Sequence, residues 1–178
     1  MAPSADPLQD LFPLLNVLEE KGLQPVLVGG MALVVLGSQR VTRDFDLLVS
    51  SSELTAELVD LVYGQGFELV TKLNDAGEVV RTLDNPRVAA ARLKLDKPRS
   101  IFFYDRKTRL RVDLLLDFPL PTREIAERAA KVGKKRRLLR VAAPADLLRL
   151  KEIAYADRKS AADAQDLEFL RRILKARS

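Results

Sequence analysis

Two aspartates, Asp44 and Asp46, stand either side of Phe45 at the start of the run Asp44–Val49. Side chains two apart on an extended chain share a face, so this pair presents hard oxygen donors suited to a divalent cation. Upstream, Gly29-Gly30 closes an apolar stretch and opens another. Glycines at a strand-to-helix junction let backbone amides approach an anionic ligand, and the following helix adds partial positive charge. Together these features point to metal-dependent chemistry on a nucleoside triphosphate. A two-metal site of that kind draws carboxylates around ions roughly 3.5–4 Å apart, so a further ligand is needed. Asp113 is the natural choice, flanked by Val112 and Leu114 with the same alternation; Asp117, at the end of that strand, competes. Asp113, beside a second Mg²⁺, would lower the pKa of an attacking hydroxyl and accept its proton. Arg40 and Thr42 continue the alternation of Asp44 and Asp46. If the chain is extended there, all four side chains share a face, and Arg40 orients the carboxylates or contacts the triphosphate.

Composition narrows the chemistry further. The 178 residues include neither cysteine nor histidine, which excludes disulfides, zinc–thiolate centres, histidine metal ligands and Ser-His-Asp triads. Catalysis is left to carboxylates, lysines, arginines, hydroxyls, backbone amides and hard metal ions. The net charge of +5 is uneven: residues 119–178 carry 16 Lys/Arg against 8 Asp/Glu, and residues 1–118 carry 14 against 17. A basic C-terminal part suits nucleotide phosphates or a nucleic-acid backbone, although such charges also solvate helix surfaces. No apolar run reaches the ~18 residues of a membrane span. The N-terminus is acidic and lacks an apolar signal core, so a cytoplasmic protein is the simple reading.

The elements that must position these residues follow from periodicity and punctuation. Pro7–Lys21 reads as a helix capped by Asp6 and ended by Gly22, with a kink or a late start at Pro13. Pro25–Val28 reads as a buried strand, Gly30–Leu36 as a buried helix, and Ser38–Arg43 as a loop into the strand Asp44–Val49. A helix Glu53–Tyr63 follows a cap at Ser51 or Ser52. Phe67–Leu73, Val88–Leu93 and Ser100–Tyr104 are strand candidates, the last paired in a hairpin with Arg109–Leu116. Thr122–Lys131 reads as a helix, the basic run Lys134–Arg137 as a solvated loop or a phosphate-backbone contact, and Leu138–Ala142 as a short strand. Helices from Pro144 to Ala156 and from Ala161 to Lys175 complete the chain. Phe102, Phe103 and Tyr104 read as core and edge residues of a strand, not as a base-stacking platform. Lys151, Asp163 and Asp166 are either site residues or exposed helix charges beside Arg158 and Lys159.

Gly29-Gly30, thirteen intervening residues, Asp44-Phe45-Asp46-Leu47 and the later Val112-Asp113-Leu114 closely resemble the signature of the DNA polymerase beta-like nucleotidyltransferase superfamily. The resemblance covers roughly residues 25–117. A narrower one, to the branch containing the AbiEii-type toxins, rests on GGMA, GSQRVTRDFDLLV and a C-terminal motif of Leu150-Lys151 through Arg158-Lys159 and Asp163-Ala164-Gln165-Asp166. It implies an α/β (α+β) nucleotidyltransferase fold, a mixed β-sheet packed by helices. Residues 1–120 would form the core, and 121–178 a helical C-terminal portion of the same compact unit. It implies Mg²⁺ as a two-ion site on Asp44, Asp46 and Asp113, with an NTP as substrate. Gly29, Gly30, Arg40, Thr42, Lys151 and Asp166 would hold the nucleotide. The implied activity is transfer of a nucleoside monophosphate to a hydroxyl of RNA, of a tRNA end or of protein, with an antitoxin-like partner. Two alternatives stay open: a catalytically idle nucleotide- or partner-binding module, and an adenylyltransferase acting on a small molecule such as an aminoglycoside-type antibiotic. The last needs an acidic lining to hold a polyamine, and the basic C-terminal part speaks against it.

Overall fold

A computed structural model describes residues 6–178. Eight strands form one mixed sheet: β1 (Val26–Val28), β2 (Asp44–Val49), β3 (Glu68–Leu73), β4 (Val79–Leu83), β5 (Ser100–Asp105), β6 (Leu110–Leu116), β7 (Ala130–Lys134) and β8 (Arg137–Val141). Their order across the sheet is β4-β3-β5-β6-β2-β1-β8-β7. β2 runs parallel to β6 and β1 parallel to β8; the other neighbours are antiparallel. The helices are α1 (Pro7–Glu20), α2 (Gly29–Val35), α3 (Ala56–Gly64), α4 (Pro86–Asp96), α5 (Thr122–Arg128), α6 (Pro144–Arg158) and α7 (Ala161–Arg177).

Period-2 alternation sorts the central strands into a dry face and a working face. Phe45 and Leu47 of β2, Val112 and Leu114 of β6, and Ile101 and Phe103 of β5 are all buried. Leu15 of α1 lies near Leu27 and Leu47, which puts α1 over the dry face. Asp44, Asp46, Arg111 and Asp113 alternate with those apolar residues and therefore emerge on the opposite side. A slip of one residue would reverse every one of them; the apolar load of the dry face holds the register.

Local signals explain most elements. The Asp6 carboxylate accepts from the Leu8 amide at 3.0 Å, capping α1. Pro13 neither starts nor ends that helix: its missing N–H deprives only the exposed Gln9 carbonyl, which water can satisfy. α2 is buried along Gly30–Leu33, as expected of a helix apolar all round. Ser51–Glu53 forms a short 3₁₀ turn, and α3 starts later than expected, capped by Thr55.

Two expectations fail. Val88–Leu93 is not a strand but the middle of α4. Asn85 caps that helix through the amides of Arg87 and Val88, Pro86 occupies its first turn, and three consecutive alanines favour it. The strand next to β3 is β4 instead, joined through a turn in which the Asn74 side chain accepts from the amides of Ala76 and Glu78. The helix expected to reach Lys131 stops at Arg128, because Ala130–Lys134 pairs with β8 as an edge strand. The basic run thereby becomes a hairpin turn, with Lys134 on β7, Arg137 on β8 and Lys135-Arg136 between them.

Candidate active site

Strand register assembles the site. Val28 lies opposite Asp46 on β2, and Asp46 opposite Asp113 on β6. Gly29, Asp46 and Asp113 therefore sit side by side across three strands. Gly29 has φ +68°, and a Cβ there would lie 1.9 Å from an Asp46 carboxylate oxygen. Only glycine lets the backbone turn into α2 this close to the acid. Gly30 has a different reason: a Cβ would lie 2.8 Å from the Arg40 guanidinium carbon. One glycine makes room for the carboxylate and the other for the arginine.

Asp44 is exposed at the start of β2, while Asp46 is partly buried. Burial pushes the Asp46 carboxyl up to about 6; the charge of Asp113 adds to this, Lys151 opposes it, and Asp44 adds again. Asp113 is only 6% exposed. Burial raises its carboxyl also, against the pull of Arg111. Arg111 grips Asp113 in a two-pronged ion pair, Nε to Oδ1 and Nη2 to Oδ2, both at 2.8 Å. Arg111 is two residues before Asp113 on the same strand, so the alternation that selected the acid also puts the arginine on its face. Its guanidinium lies 4.6 Å from the centre of the Phe102 ring.

Asp117 serves elsewhere. Its carboxylate accepts from the Ser51 amide and hydroxyl, each at 2.8 Å, and from the Thr122 amide at 3.0 Å. Burial pushes its pKa up, but those hydrogen bonds outweigh it and hold the group down at about 2. It ties the loop after β2 to the start of α5, leaving Asp113 as the acid of β6 that faces the cleft.

Arg40 and Thr42 lie before the paired strand, which begins at Asp44. Arg40 instead forms a short ion pair with Asp166 of α7. Thr42 stays in the irregular segment before β2, outside the cleft lining. Asp166 also holds Lys151 of α6, whose Nζ is 2.7 Å from Oδ2 of Asp166 and 3.1 Å from Oδ1 of Asp163. Both aspartates are 3% exposed, so neither is a solvated helix charge. Asp163 further accepts from the Ser160 hydroxyl at 2.7 Å and from Arg158. Burial raises its pKa, but the hydrogen bonds from Ser160 and Lys151 prevail and hold it low.

An open cleft of about 1110 Å³ runs between the working face and α6. Gly29, Asp46 and Lys151 border one end, and Ser100, Phe102, Phe118 and Ile153 the other. Arg111 and Phe102 are among the lining residues that spacing did not single out as site residues. Phe103 is core as expected, but Phe102, on the opposite parity, opens into the cleft.

The carboxylates suit a hard cation such as Mg²⁺ in donor chemistry. The raised pKa of Asp46, driven partly by Asp113 and Asp44, marks negative charge that a dication would offset. Among the described residues no three acidic side chains are already converged as a metal cluster; Asp113 is held by Arg111 and would have to leave that pair to become a ligand.

No family model matches the sequence, and no curated protein matches it. Solved structures do resemble it. The solution structure of the antibiotic-resistance factor ANT(2'')-Ia superposes with a TM-score of 0.61 at 12% identity, over 96% of this chain and 85% of that one. The lincomycin-bound lincosamide antibiotic adenylyltransferase LnuA gives a TM-score of 0.56 at 12% identity, over 92% and 95%. An antigenic nucleotidyltransferase-like protein from Paracoccidioides brasiliensis gives 0.57 at 16% identity, over 94% and 77%. The chain has the nucleotidyltransferase fold.

Proposed function

We propose that the protein is a Mg²⁺-dependent nucleotidyltransferase that moves a nucleoside monophosphate from an NTP to a hydroxyl acceptor. The observation that carries this reading is the register that sets Gly29, Asp46 and Asp113 beside one another on one face, with Lys151 across the cleft. Asp44 and Asp46 would hold the nucleotide's Mg²⁺ and Asp113 a second ion. When bound, these ions supply Lewis acidity at the phosphates and lower the pKa of the acceptor hydroxyl. Gly29 and Gly30 bring the backbone at the start of α2 up against the Asp46 carboxylate and the Arg40 guanidinium, beside which the triphosphate would lie. Lys151 supplies positive charge toward the β- and γ-phosphates, positioned by Asp163 and Asp166. Asp166 also fixes Arg40 against Gly30. In the reaction the acceptor oxygen bonds to the α-phosphorus. The bond from that phosphorus to the bridging oxygen breaks, pyrophosphate leaves with the electron pair, and the hydroxyl proton passes to the Asp113 carboxylate.

The retained carboxylates and the part-buried Lys151 argue against an idle module. The resemblance to toxin nucleotidyltransferases brings RNA, tRNA ends or protein as acceptors, together with an antitoxin-like partner. One observation favours a small-molecule acceptor over RNA. β8 runs parallel to β1 with Val141 beside Leu27, so the Lys134–Arg137 turn lies at the end of the sheet away from Gly29 and Asp46. The most basic run in the chain is thus not placed to guide a polynucleotide into the cleft. Antibiotic adenylyltransferases among the structural neighbours are consistent with this choice.

The test is to incubate the protein with Mg²⁺ and each α-labelled NTP, and to offer alcohols, total RNA and cell protein as acceptors. Label should pass to a small hydroxyl compound. Asp44→Asn, Asp46→Asn and Asp113→Asn should each stop transfer while circular dichroism stays native. Transfer at the original rate by the triple variant would falsify the assignment.

A further inference from the structure

The cleft has two chemically distinct ends, and the strand order sets which is which. Laterally, Phe102 and Ser100 of β5 come first, then Asp113 and Leu115 of β6, then Asp46 of β2, then Gly29 after β1. If nucleotidyl transfer is the reaction, as proposed above, the triphosphate lies over Gly29 and Asp46. In-line displacement then brings the acceptor hydroxyl from the opposite side of the phosphorus, over Asp113 and β5.

That end is apolar. Phe102, Leu115 and Phe118 line it from the sheet and the loop after β6, and Ile153 and Ala154 line it from α6. Phe118 is 37% exposed, and Phe102 and Leu115 are only partly buried. Two aromatic rings, each with an arginine over one face, and a leucine stay part-exposed beside the carboxylates and form a contact surface. The cations lining the cleft are already committed: Arg111 holds Asp113, Arg158 holds Asp163, and Lys151 holds Asp163 and Asp166. Arg99, although outside the lining, lies over the Phe118 ring at 5.4 Å. A polynucleotide needs cations along its phosphates, and a polyamine needs clustered carboxylates. Beyond Asp113, Asp157 is the one lining acid there.

We propose that this wall is the acceptor subsite, and that it takes a neutral, ring-bearing small-molecule alcohol. The flat or hydrocarbon face of the acceptor rests on Phe102 and Phe118, and its hydroxyl points toward Asp113. Selectivity arises from burial of that face, which a polycationic aminosugar lacks, and from the absence of uncommitted lining cations for a polynucleotide's phosphates.

Saturation-transfer NMR tests this on the intact protein with Mg²⁺ and the non-transferable α,β-methylene-ATP. The probes are phenyl β-D-glucopyranoside, the cationic aminosugar 2-deoxystreptamine and an RNA decamer with a free 3′ hydroxyl. The phenyl glucoside should bind through its ring protons, more tightly than the other two. Phe118→Ala should weaken it about tenfold, while calorimetry shows the nucleotide affinity unchanged. Phe102→Leu provides a second variant, which removes the ring but keeps an apolar side chain, with the same expectation. The subsite is wrong if the phenyl glucoside does not bind, if either other probe binds better, or if neither variant alters its binding. Failure of the wild-type protein to bind Mg²⁺–nucleotide in the calorimeter removes the transfer reading itself, and this inference with it.

Discussion

Burial and the charge of Asp113 raise the Asp46 carboxyl from 3.8 to about 6, which makes this acid a burden on the metal-free fold. The folded chain holds the proton more tightly than the unfolded chain. The stability contributed by that proton is fully present below pH 4 and is lost as pH rises through about 6. A shift of this size is worth on the order of 2–3 kcal/mol. Asp46→Asn should therefore unfold at higher urea than the wild type at pH 8 without divalent ions. The gain should fade to nothing near pH 4, and transfer should be lost throughout. Equal urea midpoints at pH 8 would show that Asp46 is not an electrostatic burden. Adding Mg²⁺ and nucleotide at pH 8 should stabilise the wild type and leave the variant little changed, because the ligand binds only an intact site.

The junction of β1 and α2 permits a controlled comparison. Gly22 and Gly29 both have positive φ, +79° and +68°, but nothing lies within 4 Å of a Cβ built at Gly22. Gly22→Ala should cost about 1 kcal/mol, the left-handed strain alone. Gly29→Ala carries the same strain plus a collision with the Asp46 carboxylate and should cost at least about 2 kcal/mol more. Combining Gly29→Ala with Asp46→Ala should recover part of that excess, measured as a coupling in a double-mutant cycle by urea unfolding. Additive losses would mean that contact with Asp46 is not the reason for the glycine. The elements around the site divide in legibility for related reasons. β2 and β6 could be read from the sequence because an apolar face repeats at every second residue. Val88–Leu93 carries a helix signal in its three alanines, and the Asn85-Pro86 cap just upstream makes it decisive. β7 had no signal of its own: every residue in it is exposed, and only its pairing with β8 makes it a strand.

Across the molecule, one buried ion network binds the last two helices to the first glycine turn. Asp166 of α7 receives both Arg40, from the loop after α2, and Lys151 of α6. Removing the shared acid leaves Arg40 without its partner and Lys151 with Asp163 alone, so Asp166→Ala should cost about 3 kcal/mol. The loss should be local as well as global: amides of α7 should exchange with solvent faster, while those of β2 and β6 remain the most protected. Uniform acceleration in hydrogen exchange would mean that α7 does not open separately from the sheet. Arg128 and the 2%-exposed Asp146 form a second such clamp, between α5 and α6, and serve as a control remote from Asp46. Chain order alone carried the acids, the glycine pair and the exclusion of histidine and cysteine chemistry, because spacing on a strand dictates which side chains share a face. Arg40 ended on Asp166 instead of among the carboxylates, and the basic run went to the far end of the sheet. Those outcomes depend on which segments meet across long stretches of chain, and local periodicity holds no record of such encounters.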